Sequence, residues 1–200
     1  MRKEIRLAGF GGQGIVTMGT LLAIAAGIYE DLEVAQTQSY GPEARGGACR
    51  SDVIISDEPI DYTKPLALDL FVALSPAAIE QYWPEVQEEK TRVIIDQTLV
   101  LETPKHSPPV LALEATRIAE EEFQNRMMAN MILLGAIAAH TGWIRLEALE
   151  KALAERIQGQ NLEISQKALR RGVDAALAQG QGREMKAWVD NPVWRSTKSL

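Results

Sequence analysis

The sequence predicts an α/β fold: a three-layer domain over residues 1–179, its sheet mixed but mostly parallel, with a helical C-terminal third. Three observations carry this. Short apolar runs with little alternation, as at Asp52–Ser56 and Leu68–Leu74, have the pattern of strands covered on both faces. Strand and helix segments alternate through the first half of the chain, the order from which parallel sheets are built. From Thr116 onward, apolar residues recur at helical spacing.

In order, Glu4–Ala8 alternates, ends on apolar residues and suits a first strand. A glycine-rich turn follows, then Ile15–Ala26 as a helix packed closely on the sheet, with Gly27 near a natural stop. Leu32–Gln38 is a second, more polar strand, and Gln38–Arg50 (QSYGPEARGGACR) a loop. Asp52–Ser56 and Leu68–Leu74 are buried strands, and Pro76 is placed to begin a helix over Ala77–Tyr82. Arg92–Asp96 and Val110–Leu113 complete the strands. Thr116–Phe123 begins the helical third, with a break near Gln124-Asn125. Met127–Ala139 is apolar nearly all round, the signature of a buried helix. Leu146, Leu149, Leu153 and Ile157 mark another helix, and Leu162, Leu169, Val173 and Leu177 a last one. Residues 180–200 form a C-terminal tail whose pattern dissolves. Its two tryptophans, Trp188 and Trp194, suit docking on this domain or, in preference, on a partner.

Composition narrows the function. The net charge of −6 argues against wide contact with nucleic acid or an anionic membrane. Met131–Ala139, the most apolar late run, is far short of the roughly 20 residues that span a bilayer, and the N-terminus does not read as a signal peptide, so a cytoplasmic location is expected. One cysteine, Cys49, allows no internal disulfide and no iron–sulfur ligand set. The histidines, His106 and His140, form no metal motif. His106 reads as solvated, His140 as a helix C-terminal cap or a satisfied polar group, and Cys49 as an inert buried thiol although nearby positive charge would lower its pKa.

The chemistry-bearing stretch is LAGFGGQGIVTMG (Leu7–Gly19). Gly9, Gly11 and Gly14 form G-x-G-x-x-G, with Gly12 and Gln13 inside it, between a strand and a helix; this is a Rossmann-like start. Its nucleotide is harder to find. Ile15 and Val16 stand where a P-loop needs Lys and Ser/Thr. Glu30, Asp31 and Glu33 come too early for the ribose-binding acid, since the second strand ends Gln36-Thr37-Gln38. Nucleotide binding and a purely structural turn both stay open. In the following loop, Gly41-Pro42 and Gly46-Gly47 set turns, while Arg45 and Arg50 suit a phosphate or a carboxylate, or an internal pair with Glu43.

Together these segments resemble the gamma subunit of 2-oxoacid:ferredoxin oxidoreductases. The resemblance rests on GFGGQGIVTMGTLLAIAAG (Gly9–Gly27), QSYGPEARGGACRSDVIISDEPIDY (Gln38–Tyr62) and ANMILLGAIAAHTG (Ala129–Gly142), and more loosely on ISQKALRRG (Ile164–Gly172). S-Y-G-P-E-A-R-G-G followed by SDVIIS is more similar to the 2-oxoglutarate type than to the pyruvate type. Such enzymes decarboxylate a 2-oxoacid on thiamine diphosphate, pass electrons through iron–sulfur clusters to ferredoxin, and transfer the acyl group to coenzyme A. The resemblance implies an accessory chain of a cytoplasmic complex with alpha and beta subunits and, as a further candidate, a ferredoxin-like delta subunit. Thiamine diphosphate, Mg2+ and the clusters would sit on those partners, with no catalytic residue on this chain. It places Gly9, Gly11, Gly12, Gln13 and Gly14, with Ser39, Tyr40, Gly41, Glu43, Arg45, Gly46, Gly47 and Arg50, at a surface shared with partners. Arg45 and Arg50 would meet coenzyme A phosphates or a subunit carboxylate. The alternatives are a subunit acting on pyruvate, branched-chain or aryl 2-oxoacids, a free-standing Rossmann-type nucleotide-binding protein, and a pure scaffold.

Overall fold

The computed structural model describes residues 1–39, 48–105 and 107–179. Tyr40, Gly41, Glu43, Arg45, Gly46, Gly47, His106 and the 180–200 tail lie outside the described residues. Six strands form one sheet: β1 (Arg2–Gly9), β2 (Glu33–Ser39), β3 (Cys49–Ser56), β4 (Leu70–Ala73), β5 (Arg92–Asp96) and β6 (Val110–Leu113). The helices are α1 (Ile15–Ile24), α2 (Pro76–Tyr82), α3 (Ala115–Phe123), α4 (Ala129–Thr141), α5 (Leu146–Arg156) and α6 (Gln160–Gln179).

The strand order is β2-β3-β1-β4-β5-β6. From β1 through β4 and β5 to β6 every pairing is parallel, while β3 runs antiparallel to both β1 and β2. The α1 crossover therefore lands one place further out than in a simple βαβ unit, and β3 fills the gap. The sheet is mixed, as the sequence predicts.

Alternate residues of each central strand enter two different cores. Ile5, Leu7, Val53, Ile55, Leu70, Val72 and Ile94 join a large cluster with α1 and α3 to α6. Ala8, Phe71, Ala73, Val93 and Ile95 face a smaller one closed by Ala78, Ile79 and Tyr82 of α2. The three layers are thus unequal, five helices on one face and, among the described residues, α2 with a short 3-10 turn (Trp83–Glu85) on the other. Pro76 opens α2, and the hydroxyl of Ser75 accepts from Ala78 N at 3.2 Å, a regular N-cap.

The expected buried helix is α4, of which every residue but His140 is buried. It crosses α6 at two glycines. A Cβ on Gly135 would lie 1.9 Å from the Leu169 carbonyl oxygen, and one on Gly172 would lie 1.8 Å from that of Ile132. The backbones touch here, so neither position accepts a side chain. The break after α3 is real: Gln124 takes a left-handed conformation, φ 52°, and a 3-10 turn (Arg126–Met128) leads into α4.

Two expectations are corrected. Gly27 does not stop the first helix. After Ile24 the chain continues as a π-helical turn (Ala25–Tyr29), because Ala25 and Ala26 are fully buried and packing outweighs the glycine. His140 is not the cap of α4. Gly142, at φ 67°, takes that role, and Arg92 Nη1 donates to the His140 carbonyl at 2.9 Å. Burial, with the Arg92 charge beside it, pushes the His140 imidazole down to about 4, so it is neutral at pH 7.

Gly172→Ala should destabilise the chain by about 3 kcal/mol, because backbone atoms cannot yield as side chains do; urea denaturation reads this. The unfolded imidazole takes a proton near pH 6.5 and the folded one only near pH 4. The unfolded chain then binds more protons in that window, and stability falls as pH drops through it. Thermal denaturation against pH should show a smaller loss in His140→Gln than in the parent chain.

Candidate functional site

The glycine turn joins the end of β1 to the start of α1, at the carboxyl ends of the parallel strands, where open α/β sheets place their ligands. Its shape comes from Gln13. The Gln13 Oε1 accepts from Phe10 N at 2.6 Å and its Nε2 donates to the Leu74 carbonyl at 2.9 Å, tying the turn to the residue after β4. Gly9 packs so closely that a Cβ would come within 2.4 Å of Gln13 Oε1. Gly12 (φ 88°) and Gly14 (φ 77°) need the left-handed conformation. Gly14 also abuts Asn130 of α4, whose Nδ2 lies 2.0 Å from where a Gly14 Cβ would stand. Gly11 and Gly12 face open space, and Phe10 is exposed beside them. Gly14 is the N-cap of α1 and supplies no side-chain cap, so the first amides of the helix lack that partner.

Strand register brings the arginine segment alongside. Cys49 pairs with Gly9, Arg50 with Ala8 on one side and Ser39 on the other. Of the residues singled out from sequence, Gly9, Gly11, Gly12, Gln13, Gly14, Ser39 and Arg50 thus share one end of the sheet. Among the described residues no acid stands at the end of β2, as the sequence reading has it. The end of β2 lies two strands from β1, about 10 Å by ordinary strand spacing, and Gln36 is spent on Ser51 Oγ at 3.1 Å.

Below Arg50 is a charge cluster on the thinly covered face. Arg6 holds Asp52 bidentately at 2.7 and 3.1 Å, and both side chains are only 3% exposed. Arg6 Nη1 also makes an ion-pair contact with Glu85 at 2.5 Å, without the angles of a hydrogen bond. Burial opposes the Arg6 charge, but Asp52 and Glu85 outweigh it and hold the guanidinium more firmly protonated than usual. Arg50 is 3.6 Å from Asp52 Oδ2 and 32% exposed. The Tyr82 ring lies under both guanidinia, 5.1 Å from Arg6 and 5.6 Å from Arg50, and the Tyr82 hydroxyl donates to the Ala48 carbonyl at 3.2 Å. The positive surroundings do not activate Cys49; burial pushes its thiol up.

Sequence reasoning missed Asn130, Asp52, Arg6 and Tyr82. Asn130 had a signal, the one amide in the apolar run MILLGAIAA and its approach; it is 5% exposed, with its Oδ1 unpartnered among the described residues. The chain's one thiol is buried in β3, and the described residues bring together no three His, Cys, Asp or Glu side chains placed to hold an ion. No helix among the described residues is long and apolar enough to cross a membrane.

Residues 4–175 match the family model for pyruvate ferredoxin/flavodoxin oxidoreductase. The chain belongs to this family. Within it, the chain is a gamma-type subunit of a 2-oxoacid:ferredoxin oxidoreductase. It is 42% identical over 178 residues to the 2-oxoglutarate synthase subunit KorC of Methanocaldococcus jannaschii, covering 88% of this chain and 95% of that protein. Identity to the pyruvate/ketoisovalerate oxidoreductases common subunit gamma of Pyrococcus abyssi is 34% over 174 residues, 84% of this chain and 93% of that one. The solved gamma subunit of a keto/oxoacid ferredoxin oxidoreductase from Geobacter sulfurreducens superimposes with a TM-score of 0.82 at 36% identity, over 90% of this chain and 99% of that one.

The glycines separate by role. Gly14→Ala should cost the isolated gamma-type subunit about 2 kcal/mol or more, through left-handed strain and collision with Asn130. Gly11→Ala meets nothing and should stay within about 0.5 kcal/mol of the parent in thermal denaturation, so any loss in assembly or activity reports the outer surface of the turn.

Proposed function

We propose that this gamma-type subunit serves a complex that oxidatively decarboxylates 2-oxoglutarate to succinyl-CoA and reduces ferredoxin. Thiamine diphosphate, Mg2+ and the iron–sulfur clusters belong to alpha, beta and ferredoxin-like partner chains in the cytoplasm. The glycine turn and Arg50 meet those partners, with Arg50 facing the phosphates of coenzyme A. The observation that carries this reading is the pairing of Cys49 with Gly9 and Arg50 with Ala8, which brings the backbone of the arginine segment to the start of the glycine turn at one end of the sheet, with the Arg50 guanidinium partly exposed on the thin face. A phosphate suits that combination: glycines let it approach the backbone and an arginine fork binds its oxygens. The preference for 2-oxoglutarate is supported by the higher identity to the 2-oxoglutarate synthase subunit than to the pyruvate/ketoisovalerate one.

The test is reconstitution. The purified chain alone should reduce no dye with any 2-oxoacid. Co-expressed with its partners, it should support coenzyme A-dependent dye reduction with 2-oxoglutarate at a kcat/KM at least about tenfold above pyruvate or branched-chain acids. A preference for pyruvate or a branched-chain acid would move the complex to the sibling class. Tight NAD(P) or ATP binding by the isolated chain would favour a free-standing nucleotide-binding protein.

A further inference from the structure

We propose that Tyr82 is a positioning residue for Arg50, and that the buried Arg6–Asp52 pair is the mount on which it does so. The proposal rests on the reading that Arg50 faces a coenzyme A phosphate.

Asp52 is the only carboxylate recorded against Arg50 among the described residues, and both its oxygens are spent on Arg6 at 2.7 and 3.1 Å. Arg50 reaches it only at 3.6 Å. A carboxylate neutralised by one arginine holds a second one weakly, so Asp52 does not by itself fix where the Arg50 fork points. Tyr82 is better placed. It ends α2, is 4% exposed, and turns its ring toward both guanidinia. Its hydroxyl grips the Ala48 carbonyl, two residues before Arg50, and so anchors the backbone from which that side chain departs. One rigid aromatic group thus sets both the origin and the lie of the guanidinium. The formal charges of Arg6, Arg50, Asp52 and Glu85 cancel, but Asp52 is closed in by Arg6 and Arg50 carries the exposed positive end. That is the charge an incoming phosphate would meet, the Arg50 fork making no hydrogen bond among the described residues.

The test uses the assembled complex and reads KM for coenzyme A separately from kcat. Arg50→Ala should raise that KM about tenfold with kcat little changed, the loss of one charge-assisted contact. Tyr82→Leu should raise it by a similar factor, and the double variant by no more than Arg50→Ala alone, because Tyr82 acts through Arg50. If Tyr82→Leu does not assemble, Tyr82→Phe keeps the ring and loses only the hydroxyl. It should raise KM about threefold in the parent and not at all in the Arg50→Ala background. A Tyr82 effect that multiplies with the Arg50 effect, or no Tyr82 effect where Arg50→Ala has one, overturns the positioning role and leaves the phosphate reading standing. An unchanged KM in Arg50→Ala, or loss of assembly in that variant, overturns both.

Discussion

The antiparallel insertion of β3 between β1 and β2 is the constraint on which the rest of the molecule depends. Because β3 pairs with β1 along its whole length, and with β2 from Arg50 to Ser56, its first two residues must lie against the last two of β1. That register carries Arg50 to the glycine turn and drops Asp52 opposite Arg6, so the buried ion pair and the exposed arginine follow from one backbone arrangement. It also pushes β2 outward and with it the position at which a dinucleotide-binding fold keeps its ribose acid.

The unequal layers divide the work between the two faces. On the thick face, α4 and α6 touch backbone to backbone at Gly135 and Gly172, and α4 in turn presses Asn130 against Gly14. The helical third therefore reaches through to the turn rather than merely covering the sheet. On the thin face α2 and its short 3-10 turn lie over polar as well as apolar residues of β1 and β3, and Arg6 and Asp52 pair with each other across the two strands. A buried arginine–carboxylate pair of this kind specifies geometry more than it adds stability, since its desolvation offsets much of its attraction.

Much of the fold was legible because local signals agreed with it. β5 and β6 begin and end where expected, and the uniformly apolar composition of α4 announced its burial. The start of β3 was not legible: Cys49, Arg50 and Ser51 look like the end of a polar loop, and only pairing with distant residues makes them strand. The direction of β3 was hidden for the same reason, as was the overriding of Gly27 by the buried alanines around it. Of the site, the glycines and Arg50 could be singled out by type and spacing. Arg6, Asp52 and Tyr82 could not, because each sits in a segment that reads as ordinary strand or helix and becomes a partner only through the sheet.

Gln13 carries a consequence of its own. With its amide bonded both to Phe10 and to the Leu74 carbonyl, the turn is held open by the chain itself and needs no visitor to give it shape. A group that meets it finds a preorganised surface and pays little ordering entropy on contact.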